Sequence, residues 1–97
     1  MIKISVVKDD FIKSVNIKGH ALYADYGKDI VCAAVSSIII TTINALEMIN
    51  ENALEVDLGG FTIYVLKEDE IVNKLMLNMI NLLNDLAGDY PQNIKFL

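Results

Sequence analysis

IVCAAVSSIIITTINAL, residues Ile30 to Leu46, runs for seventeen residues without a charge. A membrane-crossing helix needs about 20 predominantly apolar residues, and this run carries Ser36, Ser37, Thr41, Thr42 and Asn44. We read it as a helix from about Ile30 to Ile49, buried on most sides within a small domain and stopped by Asn50-Glu51-Asn52. Its expected core face includes Val31, Val35, Ile38, Thr42, Ala45 and Ile49.

Upstream, the polarity changes abruptly. Asp29 suits an N-cap, its short carboxylate accepting a first-turn N–H at the positive end of the helix dipole. Counted from there, Cys32 takes the third helical position. Thiols among the free N–H groups of a helix start are the kind that react as thiolates. His20, the only histidine, lies twelve residues before Cys32, the only cysteine. The pair suggests nucleophilic catalysis, although a lone cysteine before Ala-Ala-Val is more often a small core residue, and a lone histidine beside a glycine most often an ordinary turn residue. Between them, Ala21 to Lys28 forms a loop with Tyr23 and Tyr26, and Gly27 permits a tight bend. Such a loop can close over an extended peptide, or its tyrosines can simply fasten it to the domain. Ala33 and Ala34 are small enough for another backbone to approach beside Cys32.

Further out, Ile2 to Lys8 and Phe11 to Lys18 alternate apolar with polar and are rich in β-branched residues, so they predict an antiparallel hairpin ending at Gly19. A second hairpin is expected from Leu54 to Leu58 and Phe61 to Lys67 around a two-residue Gly59-Gly60 turn. A second helix opens near Glu68-Asp69-Glu70. Its expected stripe is Ile71, Leu75, Met79, Leu82 and Leu86, and Gly88 is expected to end it. Asn93 to Leu97 reads as a last short strand. The order ββα-ββα-β implies an α+β, two-layer fold: one β-sheet with two α-helices packed on one face.

Ninety-seven residues, 54% of them hydrophobic, make one domain over residues 1–97 with a real core. The net charge of −5 argues against a nucleic-acid surface and favours encounter with basic partners. One cysteine cannot form an internal disulfide, and MIKISVVKDD lacks an apolar signal core, so a cytoplasmic location is expected. One histidine and one cysteine fall short of a structural zinc site. With no Gly-rich phosphate loop either, we expect no metal, no cofactor and no membrane span.

The stretch GHALYADYGKDIVCAAVSS, Gly19 to Ser37, closely resembles the signature of the ribosomal-processing cysteine protease (Prp) family. The resemblance extends in outline to the whole chain. It implies a cysteine endopeptidase that removes a short N-terminal extension from the large-subunit ribosomal protein numbered twenty-seven. The family's catalytic histidine and cysteine match His20 and Cys32. Backbone N–H groups opening the helix can hold the oxyanion, and Asp29 can orient His20 as well as cap. Ala21, Tyr23, Tyr26, Gly27, Ala33 and Ala34 are the candidate substrate contacts. The resemblance also implies a basic ribosomal protein precursor as partner and a homodimer. The alternative is a non-catalytic ribosome-assembly or protein-binding module whose thiol is structural or regulatory.

Overall fold

The computed structural model describes residues 1–19, 29–59 and 61–97, with Asp29 described by its backbone only. Its elements are β1 (Ile2–Lys8), β2 (Ile12–Lys18), α1 (Asp29–Ile49), β3 (Leu54–Asp57), β4 (Thr62–Val65), α2 (Glu70–Asp89) and β5 (Ile94–Phe96). The ββα-ββα-β order and the α+β class are as expected. The strands form one mixed sheet ordered β3-β4-β2-β1-β5. The first hairpin is therefore the middle of the sheet, the second adds to its β2 side, and β5 runs parallel to β1 on the other edge.

Alternation gives the sheet two unlike faces. Ile2, Ile4, Val15, Ile63 and Ile94 point into one core with both helices, whereas Lys3, Lys18, Tyr64 and Lys95 are exposed. Ile12 and Val15 are both buried though three apart, which a regular strand forbids. The register explains this: Val7 pairs with Ser14 but Lys8 pairs with Ile12, so Lys13 is an extra residue in a β-bulge. The bulge frees the Ile12 N–H, which donates to the Asn73 side-chain oxygen on α2 at 2.8 Å.

The second hairpin keeps the expected centre, but pairing stops at Asp57–Thr62, so the connection has four residues rather than two. Gly60 lies outside the described residues. The Asp57 carboxylate accepts the Gly59 N–H at 3.0 Å. Phe61 takes a φ of 42°, unfavourable for a bulky side chain, and its carbonyl accepts the Ile17 N–H at 3.0 Å.

The helices correct five expectations. α1 is not buried on most sides: it is long and apolar enough to cross a membrane, but lays one stripe on the core, and 22% of its most apolar window is buried. That stripe is Val31, Val35, Ile39, Thr42 and Leu46; Ile49 is exposed. The Thr42 hydroxyl donates to the Ile38 carbonyl at 2.9 Å, so the stripe's polar member is satisfied within the helix. α1 starts at Asp29 itself, which makes Cys32 its fourth residue rather than its third.

In α2 the buried stripe is Val72, Met76, Met79 and Leu83, rotated from the expected one, leaving Ile71 56% exposed. Asp69 caps this helix, accepting the Ile71 and Val72 N–H groups at 2.8 and 3.1 Å. Gly88 does not end it. The helix runs to Asp89, and the Tyr90 N–H closes it on the Leu86 carbonyl at 2.9 Å. The last strand is shorter than expected, covering Ile94–Phe96.

Candidate active site

At one end of the sheet, β1 begins beside the end of β2. Gly19 follows β2 with φ 82°, and a Cβ there would collide with the Met1 carbonyl oxygen. This close approach of two backbones fixes the point at which the chain leaves the sheet for His20. The chain returns as α1, whose first turn carries Cys32, a free and half-buried cysteine packed against the core.

Beside Cys32 lies a cavity of about 140 Å³. Its helical wall is Cys32, Val35, Ser36, Ile39 and Ile40, positions that share one side of α1. The opposite wall is Ile2, Ile17, Gly19 and Phe61 from the strand ends. Among the described residues the lining is apolar except for Ser36, the Cys32 thiol and backbone groups. A thiol on the rim of such a cavity meets an extended peptide at its backbone while an apolar side chain of that peptide fills the space. Phe61 is held at its positive φ, a strain of about 1–3 kcal/mol that the Ile17 hydrogen bond helps to stabilise. Phe61 is thereby fixed on the cavity wall.

Of the residues singled out from sequence, Cys32 stands on this cavity. His20, Ala21, Tyr23, Tyr26 and Gly27 lie outside the described residues, as does the Asp29 side chain. Ala33 is exposed and Ala34 half-buried, and neither is among the residues lining the cavity. Sequence reading did not single out Ile2, Ile17, Ser36, Ile39, Ile40 or Phe61 for the site. The helical members were legible in principle, because 32, 36, 39 and 40 repeat at the spacing of one helix side. No group of three or more metal-ligating side chains occurs among the described residues.

Comparison with known proteins gives this geometry its context. A family model for cysteine protease Prp matches residues 1–95. The ribosomal processing cysteine protease Prp of Mycoplasma pneumoniae is 34% identical over 110 residues, covering 99% of this chain and 93% of that protein. Its namesake in Bacillus subtilis is 28% identical over 96 residues, covering 90% of this chain and 86% of its own. Among solved structures, the essential ribosomal processing protease Prp from S. aureus, with a covalently linked product peptide, has a TM-score of 0.80. Its identity is 25%, over 99% of this chain and 97% of that one. The Streptococcus mutans protein SMU.848 gives a TM-score of 0.81 at 31% identity, over 99% of this chain and 91% of that one. The family match begins before β1 and runs into β5, so it takes in four strands entire, most of the fifth, both helices and Cys32 on the cavity wall: the chain belongs to the cysteine protease Prp family and is a cysteine peptidase.

Proposed function

We propose that this peptidase removes a short N-terminal extension from a large-subunit ribosomal protein, number twenty-seven, during ribosome maturation. The observation that carries the reading is Cys32 in the first turn of α1, on the rim of an apolar cavity suited to a peptide side chain. The names of the relatives, which speak of ribosomal processing, support the substrate class.

In this reading His20 takes the thiol proton, and the Cys32 sulfur attacks the scissile carbonyl carbon. Backbone N–H groups at the start of α1 hold the oxyanion. The C–N bond breaks as His20 returns its proton to the leaving amine. Water then hydrolyses the thioester, releasing the extension as a carboxylic acid and restoring the thiol. Asp29, the first residue of α1, orients His20. The cavity between α1 and the strand ends takes an apolar side chain of the extension. A homodimer belongs to the same proposal, supported by the exposed outward side of α1, where Met48 stands free of the core and no charge falls between Ile30 and Leu46. Light scattering tests that part.

The precursor protein, incubated with the enzyme and followed by intact mass spectrometry, should lose its extension. Cys32→Ala should abolish the cleavage while keeping a wild-type melting temperature, and His20→Ala should slow it by about 100-fold or more. Full turnover by Cys32→Ala would remove Cys32 from the role of nucleophile. An intact precursor after incubation with the wild-type enzyme would refute the substrate.

A further inference from the structure

The register of the sheet sets three lysines side by side. Lys3 is the Cα partner of Lys18 on β2 and of Lys95 on β5. Partners across adjacent strands share a face and lie about 5 Å apart. All three are exposed on the side of the sheet away from the helices. They are three of the eight basic residues in the chain, gathered into one row. Among the described residues, the salt bridges belong to Lys13, which pairs with Asp9 and Glu68, and none involves this row.

Like charges directly opposite one another destabilise a sheet. Lys95 on its own has a structural explanation, since lysine on an edge strand discourages unwanted pairing. That explanation does not reach Lys3 and Lys18, whose strands are interior. The acidic residues of β3, Glu55 and Asp57, are exposed but stand two strands from β2 and three from β1. They are too distant to pair directly with the row.

We propose that the Lys18–Lys3–Lys95 row binds the phosphate backbone of RNA. The net charge of −5 argues against nucleic acid for the molecule as a whole. The strand register reverses that locally by concentrating cations on the helix-free face. The row also backs directly onto the cavity: Ile2 and Ile17 line the cavity, and the next residues, Lys3 and Lys18, open the basic face. An enzyme whose substrate is a ribosomal protein meets that substrate close to RNA. A weak phosphate contact on this face holds the enzyme there while the opposite face works on the peptide. Only the choice of RNA among polyanions rests on the proposed substrate.

The test is fluorescence anisotropy of a short labelled oligouridine with the wild-type enzyme at low salt and no peptide present. Its failure therefore leaves the peptidase reading intact. Saturable binding is expected, with log K falling against log salt at a slope of about −2, from three contacts at about 0.7 each. The triple variant Lys3→Gln, Lys18→Gln, Lys95→Gln should bind at least about tenfold more weakly. It should melt no lower than wild type, because the repulsion has been removed, so a loss of binding cannot be ascribed to unfolding. No binding at low salt, or binding undiminished in the folded triple variant, would overturn the proposal. So would oligoglutamate competing as well as unlabelled RNA, which would make the row a dock for an acidic protein segment instead.

Discussion

Gly19 concentrates more constraint than any other described residue. Its φ of 82° lies in the region that side chains resist, at a cost of about 1–2 kcal/mol for a non-glycine residue. A Cβ would also strike the Met1 carbonyl oxygen, and the next residue is anchored: the Ile2 N–H donates to the Asn93 carbonyl at 2.7 Å. Relief thus requires moving the start of β1 and loosening its link to the β5 approach. Gly19→Ala should therefore lower the melting temperature by at least about 5 °C, at roughly 4–8 °C per kcal/mol for a domain of this size. It should also reduce peptide turnover, since Ile2 and Gly19 line the cavity and His20 follows. Gly19→Asn separates the causes, because asparagine tolerates positive φ but still carries a Cβ. If Asn restores stability, the backbone angle is the constraint; if it does not, the Met1 contact is. A wild-type melting temperature for Gly19→Ala would show that neither matters.

Among the elements, the bulge in β2 and the rotation of α2 explain each other. Skipping Lys13 leaves the Ile12 N–H without its ladder partner, and Asn73 accepts it. Asp69 sets where α2 begins, and the Asn73 bond sets which way it faces, with Val72 and Met76 on the core side. Asn73→Leu should cost about 1–3 kcal/mol by stranding that N–H, with Asn73→Asp, which keeps an acceptor, costing less. Thermal melts of the two variants check this, and equal losses would discard the anchoring role. The same pair of residues shows why the helix was legible and its face was not. Glu68-Asp69-Glu70 announces the start, but α2 is apolar along two neighbouring stripes, so periodicity cannot choose between Ile71-Leu75-Leu82 and Val72-Met76-Leu83. A tertiary hydrogen bond between residues 61 apart decides it. The candidate site divides in the same way. Cys32 and its helix start could be read locally, whereas Ile2, Ile17 and Phe61 reach the cavity only through strand pairings that join distant segments.

At the scale of the whole molecule, alternation within each strand foretold one buried face but not the order β3-β4-β2-β1-β5, because order depends on which edges remain free after each hairpin closes. Net charge, by contrast, is a property of the whole chain and was legible at once. Thirteen acids against eight bases give the enzyme an attractive field for a basic protein, and the basic row on the back of the sheet leaves that balance negative overall. Such steering acts over about a Debye length, roughly 10 Å at 0.1 M salt, and fades as salt rises. It acts on the charged body of a precursor protein and hardly at all on a short apolar extension peptide. The value of kcat/KM for the full-length precursor should therefore fall with salt more steeply than that for the peptide, while kcat for both changes little. Charge steering speeds encounter and leaves the thiol's attack on the carbonyl as it was. Parallel salt series on the two substrates measure the difference. Equal slopes would mean that the acidic surface has no part in recruiting the substrate, and that recognition rests on the cavity beside Cys32 alone.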